Sequence, residues 1–396
     1  MRGDRRILFS SLMLTAMAMA TFTAASLGIL ASFIIDDLGI SRTQLGIVVA
    51  VVNVASALLS PIAGRVTDRI GGRAALVVLF ATASVTYVLL GTAFAYPMLL
   101  LAAIGGAFSQ ASGNPATNKL IAEVVPLGRR GVITGVKQSG VQAGIFLGGA
   151  TIPSLAIALG WRVAYLIVAV APLLLAVAIT RLIPPRASTE ETEVRAAGPS
   201  ALPAAIWWLT AYGFLMGFSS SITFLVPLFT EEALGRGPVA GGFAAATIAF
   251  VAVFGRILWS RYAERTDAFR TSLVVMGLLS VIAAGLFYGA REFAAWLLWP
   301  AAVLVAAGSN SWISVGMLAV MVETGLESTG KASGYVLLGF LGGLGIGPAI
   351  FGALIDRTGS YDLMWLLSAV AAIAAVAVVG GWARAHHEPS PSGSRL

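Results

Sequence analysis

Three basic side chains stand inside stretches that are otherwise almost free of charge: Lys119, Lys137 and Arg256. A cation in apolar surroundings needs an acceptor or a ligand, and ionisable residues in such places mark functional sites by default. The guanidinium of Arg256 presents a planar fork of donors that matches a carboxylate in two bonds at once. Lys137 has Gln138 beside it and Gln142 on the same helical face as Gln138. Asn114 and Asn310 interrupt two more apolar runs, and each needs a hydrogen-bond partner there. These residue types bind and orient an anion; they do not make or break bonds. The chain has no cysteine, which excludes thiolate chemistry, disulfides and cysteine metal sites, and its two histidines, His386 and His387, lie in the tail. No Ser, Asp, Glu or Lys pair is spaced as nucleophile and base. The reading is therefore of a protein that is not an enzyme and uses no cofactor or metal. Gly325 to Lys331 (GLESTGK) matches seven positions of a phosphate-binding loop, but Ala332 stands where a Ser or Thr must hold magnesium. An apolar helix precedes it in place of a strand.

The elements that must position these residues are membrane helices. The chain is 58% hydrophobic with a mean hydropathy of +0.90, and only 11% of it is charged. That share is less than half of what a water-soluble surface of this size carries. A crossing takes about 20 apolar residues. Such runs fall at residues 7–35, 44–63, 74–94, 98–121, 132–159 and 163–183, and again at 206–229, 239–259, 271–290, 293–322, 332–355 and 363–383. MRGDRR followed by an apolar run too long for a signal-peptide core reads as a retained first crossing. Residues 184–205, rich in Pro, Ser, Thr and Glu, read as a linker between a first half (1–183) and a second half (206–396). The prediction is an all-α membrane protein of twelve transmembrane helices in two six-helix halves.

With both termini placed in the cytoplasm, 17 of the 25 basic residues fall on the inner side, 5 on the outer side and 3 inside helices. The positive-inside rule favours that orientation strongly. It also accounts for the net charge of +7, leaving no cluster for nucleic acid. The expected location is the plasma (inner) membrane, with the lipid bilayer as solvent and the chain a monomer.

The halves repeat. A shift of 196 residues lays Leu38-Gly39 on Leu234-Gly235, Gly46 on Gly242, Asp68-Arg69 on Glu264-Arg265 and Asn114 on Asn310. A shift of 199 aligns Gly135, Gly140, Gly144 and Gly148 with Gly334, Gly339, Gly343 and Gly347. The spacing of four in these glycines makes small faces on which helices pack closely and slide. Repeated halves with a site between them are a layout of secondary transporters.

The stretch GRVTDRIGGR, residues 64–73, concentrates Arg65, Asp68, Arg69 and Arg73 between two apolar runs. It reads as a short inner turn in which Gly64 lets helices approach and Asp68 caps a helix or pairs with an arginine. Its second copy is SRYAERTDAFR, residues 260–270, with Glu264 and Arg265. GRVTDRIGGR resembles the loop signature of the major facilitator superfamily, Gly-x-x-x-Asp-Arg-x-Gly-Arg with one extra glycine. AEVVPLGRRG, residues 122–131, is similar to that family's matching stretch after the fourth helix, and GWR at 160–162 to its join of the fifth and sixth helices. The resemblance implies that Gly64, Asp68, Arg69, Arg73, Glu123, Arg130, Glu264 and Arg265 latch the inner gate, with Glu123 and Arg130 pairing with the first loop. By similarity to the sugar-transporting branch, Gln138 takes the place of a substrate-contacting glutamine eight residues after Arg130. Arg256, one turn before Ser260, resembles the carboxylate-binding arginine of monocarboxylate and oxalate transporters, although their partner residues in the first and eleventh helices are absent. The arginine of the proton-antiporter signature is also absent, its place being filled around Ala102-Ala103.

Each candidate also has a structural reading. Lys119 sits four residues before Glu123, and the spacing favours a pair along the helix. Lys137 either faces a cavity or reaches toward the inner surface; Arg256 either binds substrate or braces the gate. Asn114 and Asn310 suit cavity lining or inter-helix bonding, and Asn53 the latter. Asp36, Asp37, Glu231 and Glu232 read as solvated outer-end charges, with a protonatable role as the alternative. The expectation is a proton-coupled transporter that moves a small organic anion by alternating access, with Arg256, Lys137, Gln138, Gln142, Asn114 and Asn310 at the substrate and efflux of amphipathic drugs as the alternative. Three cations without an unpaired acid give a cavity of positive potential.

Overall fold

The computed structural model describes residues 3–125, 130–182 and 202–385, with side chains for all of these except 3–6, 130–132, 182, 325–331 and 383–385. The first half contains α1 (Gly3–Ile29), the short α2 (Ala31–Leu38), α3 (Arg42–Gly91), α4 (Tyr96–Val124), α5 (Arg130–Leu159) and α6 (Trp161–Leu182). In the second half α7 (Ala204–Ser220) runs through a 3-10 turn (Ser221–Phe224) into α8 (Val226–Glu232). Then come α9 (Gly237–Thr266), α10 (Phe269–Glu292), α11 (Leu298–Ala307), α12 (Trp312–Thr358) and α13 (Asp362–Ala385).

Nine helices among the described residues are long and apolar enough to cross a membrane, or ten when α7 and α8, bent by 40°, count as one crossing. The 50 residues of α3 would reach about 75 Å, far beyond a hydrocarbon core of about 30 Å. They are two crossings folded at Gly71, whose φ of 79° and ψ of 160° lie where only glycine sits without strain. Gln110, Asn114, Asn118 and Lys119 lower the hydropathy of α4, the remaining crossing. The fold is the expected all-α arrangement of twelve crossings in two pseudo-symmetric halves.

Three crossings that read as continuous are broken. The first parts at Leu30 between α1 and α2, and the seventh at residues 221–225. The tenth breaks at Gly308-Ser309-Asn310-Ser311, between α11 and α12. There the side chains compete with the helix ladder: Ser311 Oγ donates to the Ala306 carbonyl at 2.7 Å and Asn310 Nδ2 to that of Val305 at 3.5 Å. Conversely, the turn expected at 64–73 is helix up to Ile70, and the chain reverses within α3.

The repeat is visible in contacts. A Cβ on Gly140, Gly144 or Gly148 of α5 would meet Leu14, Ala18 or Phe22 of α1; one on Gly339 or Gly343 of α12 would meet Thr210 or Phe214 of the α7 crossing, and one on Gly347 would meet Ser221 first and then Phe218. Thr210, Phe214 and Phe218 lie 196 residues after the first trio of partners. The seam between halves obeys the same symmetry. Gly46 of α3 touches Pro348 of α12, and Gly242 of α9 touches Gly149 of α5, backbone against backbone. These glycines are where the halves meet without side chains between them. Repeat-related Gly39 and Gly235 both turn the chain at φ near 60°, at 60° and 63°.

Candidate functional site between the halves

The seam is closed at the end away from the termini, here the far end. Its architecture starts from a helix cap. Ser41 begins α3 with a capping box: its hydroxyl accepts from Gln44 N–H at 3.1 Å, and Gln44 Oε1 accepts from Ser41 N–H at 2.8 Å. The next two backbone N–H groups, of Arg42 and Thr43, have no partner within their own helix. Asp356 of α12, in the other half, accepts both, at 3.2 and 2.8 Å, and also accepts the Thr43 hydroxyl at 2.5 Å. A carboxylate at a helix N-terminus is favourably placed against the helix dipole. Arg42 then bridges two carboxylates of the second half, Glu232 at 2.7 Å and Asp356 at 3.4 Å, and the Tyr361 hydroxyl donates to Glu232 at 2.6 Å. Four residues that the sequence reading counted as topology signals or solvated ends, or did not single out, thus form a gate between the halves: Arg42, Glu232, Asp356 and Tyr361. Asp37 is not free in solvent either; it pairs with Arg162 at 2.6 Å within the first half.

Nearer the termini the seam parts around two cavities. Cavity 1, about 40 Å3, is walled by Ala25, Ile29, Pro227 and Ile248, with Gln142, Thr223 and Asn310 as polar lining. Cavity 2, about 330 Å3, follows below it between α5, α9 and α12 and shares Gln142. Gln138, Ser139, Arg256, Ser260, Arg261 and Ser314 supply its polar surface, and Val253 and Ile257 its apolar wall. No Asp or Glu lines either cavity among the described residues.

Arg256 is the strongest group there. Its Nε donates to the Asn310 carbonyl at 3.1 Å, in the broken tenth crossing, and its own carbonyl accepts from Ser314 Oγ at 3.2 Å. The break therefore supplies the carbonyl that aims the arginine. Its two terminal nitrogens bond no protein group among the described residues, which leaves one edge of the fork to the cavity. Gln138 and Gln142 line the cavities, as does Asn310.

Lys137 is placed differently. It is 1% exposed and turned from α5 toward α4, where Nζ donates to Asn118 at 2.6 Å and to Asn114 at 3.1 Å. Neither Lys137 nor Asn114 is among the residues lining the two cavities. The repeat-related asparagines still play parallel parts: Asn114 holds the buried cation of the first half by its side chain, and Asn310 that of the second by its backbone. Asn53 bonds within the protein, to the Val49 carbonyl and to Gln110.

The signature residues lie at the near end. Lys119 meets Asp68 of α3 at 3.6 Å, across two helices, where the spacing favoured Glu123 along its own helix. Glu123 instead accepts the Gly72 N–H at 3.1 Å, and a Cβ on Gly72 would collide with the Leu120 backbone. The kink explains the doubled glycine: Gly71 takes the positive φ and Gly72 the close approach. Arg73 donates to the Thr180 carbonyl at 2.7 Å, in the last turn of α6, a favourable position for a cation. All these bonds lie within the first half. Gly64 has open space where its Cβ would stand, and Asp68, Arg69, Glu264 and Arg265 are exposed. The Arg130 side chain lies outside the described residues, as do residues 183–201 of the linker. The GLESTGK stretch runs within α12 and forms no loop.

A model of the Major Facilitator Superfamily matches residues 12–336. The chain belongs to that superfamily. It is a multi-pass membrane protein and a secondary transporter of small organic solutes, and it is not an enzyme. It is 24% identical to the hexuronate transporter of Bacillus subtilis over 90% of this chain and 89% of that one. It is 26% identical to a probable sulfoacetate transporter of Cupriavidus necator over 92% and 91%. Among solved structures, a bacterial homolog of the human lysosomal transporter Spinster, described as inward-facing and unoccupied, superimposes with a TM-score of 0.78 at 19% identity, covering 99% of this chain and all of that one.

Proposed function

We propose that this transporter carries a small organic anion, binding its acid group at the free edge of Arg256 in cavity 2. The observation that carries this is a guanidinium open to a cavity with no acid among its described lining residues. Such a site attracts anions and rejects cations. Lys137 adds positive potential from behind the wall, while Gln138, Gln142 and Asn310 offer neutral contacts. The two relatives named above, which the chain matches along most of its length, are themselves named for organic anions. Drug efflux would call for an aromatic cavity; cavity 2 has no aromatic lining and cavity 1 has Phe224 alone. With both termini cytoplasmic in a plasma (inner) membrane, cavity 2 faces the cytoplasm and the far-end gate is closed to the outside. Alternating access then exchanges that gate for the near-end latch, with protons as the coupling ion and a monomer as the working unit.

A thermal-shift series on the purified protein tests the substrate class. Small carboxylates and sulfonates should raise the melting temperature, since a ligand at a hundred times its Kd adds about 2.7 kcal/mol to stability. Stabilisation by cationic amphiphiles alone would reverse the assignment.

The latch makes a separate prediction. In this state Asp68 is 71% exposed by side chain and, among the described residues, is bound only to Lys119 of its own half. Its work comes when the near end closes. Asp68→Asn should leave ligand affinity within about two-fold of the parent and lower flux in proteoliposomes about ten-fold or more, a change of about 1.4 kcal/mol in the rate-limiting step. Parental flux at equal protein density would remove Asp68 from the latch.

A further inference from the structure

The far-end gate contains a carboxylate that its cations do not reach. Glu231, at the end of α8, has its Oε1 enclosed and without a hydrogen-bond partner. It lies against Ser32 of α2, whose Oγ is enclosed and unpartnered too. The two residues come from different halves, so this contact exists only while the halves are together at this end.

No ion pair among the described residues includes it. Glu232 on its own helix is spent on Arg42 and Tyr361, and Asp36 of α2 is a second like charge nearby. Arg42 of α3 is shared between Glu232 and Asp356 of α12, and Tyr361, at the start of α13, gives its hydroxyl to Glu232. The parts of α1 and α9 at this end, residues 7–29 and 237–251, contain no titratable side chain, and Arg236, which caps α9 and bonds the Thr230 carbonyl through its backbone, is exposed. Enclosing an ionised carboxylate without a cation, beside a second like charge, is costly, and the neutral acid removes that cost. Ser32 Oγ, the polar atom at hand, donates to the ionised carboxylate or accepts the O–H of the neutral acid.

We infer that Glu231 is a proton-binding site built into the far-end gate, taking up one proton as the two halves close over it. The inference rests on the alternating-access reading above. The proton passes from solvent to a carboxylate oxygen, and no covalent bond in the chain breaks. When the halves part, Glu231 is hydrated and gives the proton up. Pro227, one turn before Glu231, and Ile29, three residues before Ser32, both wall cavity 1. That cavity, large enough for a water molecule, therefore lies beside the segments that carry both residues.

The chain has no cysteine, so two can be introduced for spin labels at Phe94 and Phe293, exposed by 77% and 81% in far-end connections of the first and second halves. Distances between the labels would be measured by pulsed dipolar spectroscopy in lipid nanodiscs from pH 5 to pH 9. In the parent protein the short, closed distance should dominate at low pH. The closed-to-open ratio should fall with rising pH by up to ten-fold per unit, the slope for one linked proton. Glu231→Gln, a neutral mimic of the acid, should hold the closed distance across the range. A Gln variant that titrates like the parent, or a parent that does not titrate, would overturn the inference. Should Glu231→Gln not insert, Ser32→Ala carries the test: losing the hydroxyl that donates to the ionised carboxylate should move the transition to higher pH, and an unmoved transition is fatal to the inference. Carboxylate affinity at pH 5 in the Gln variant separates the two readings, because lost anion binding in both proteins strikes the substrate assignment while leaving the titration intact.

Discussion

Arg256→Ala should lower the affinity for a carboxylate ligand by roughly ten- to a hundred-fold, the loss of a charge-assisted contact of about 1.5–3 kcal/mol. The expectation follows from how the arginine is held. One edge of the guanidinium, through Nε, is fixed on the Asn310 carbonyl at 3.1 Å, and the other faces cavity 2. A fork anchored on one side loses little freedom when it binds on the other, so most of the contact energy is available to the ligand. Arg256→Lys should recover only part of the affinity. An ammonium offers a point charge in place of two parallel donors and also gives up the bond to Asn310. Calorimetric titration of both variants with the best carboxylate from the thermal-shift series distinguishes binding from bracing. An arginine that only braces the near end would leave the dissociation constant at the parental value and reduce turnover alone.

Asp356→Ala should open the far end. The carboxylate accepts two backbone N–H groups at the start of α3, the Thr43 hydroxyl and Arg42, all from the opposite half. Losing a helix-capping acceptor costs about 0.5–2 kcal/mol. The ion pair to Arg42, at 3.4 Å and partly exposed, adds less, about 0.2–1 kcal/mol. Because the bonds exist only when the halves meet, the cost falls on the closed state and not on either half. A loss of about 1–3 kcal/mol shifts the population roughly 5- to 150-fold toward the far-open form. Val49, 2% exposed near the seam, reports the change when replaced by cysteine. In the Asp356→Ala background that cysteine should react with a maleimide correspondingly faster. An unchanged rate would mean that the glycine seam at Gly46 and Gly242 closes the far end unaided.

Much of this architecture was legible in the order of residues. Apolar runs long enough to cross a bilayer, and too poor in charge to face water, require helices, because backbone groups in lipid have no other way to be bonded. The offset of 199 residues predicted that the glycines of α5 and α12 do equivalent work, and their partners on α1 and α7 are related by the repeat's other offset, 196. The acid-poor, cation-bearing interior was also visible, since lipid makes every intramembrane charge conspicuous. Arg256 stood out for that reason, and it lines cavity 2.

Tertiary structure decided the rest, because partners distant in sequence carry no periodic signal. Lys137 and Arg256 read alike as cations in apolar helices, yet one is folded back onto Asn114 and Asn118 and the other opens to a cavity. Lys119 had Glu123 one turn away and still found Asp68, which the reversal at Gly71 brings alongside α4. The far-end gate was the least legible part. Arg42 meets Glu232 and Asp356 across 190 and 314 residues of chain, and nothing local marks them as partners. At helix ends such charges are the expected solvated residues. Only the approach of two halves, allowed by glycines that put no side chain between them, turns those surface charges into a gate.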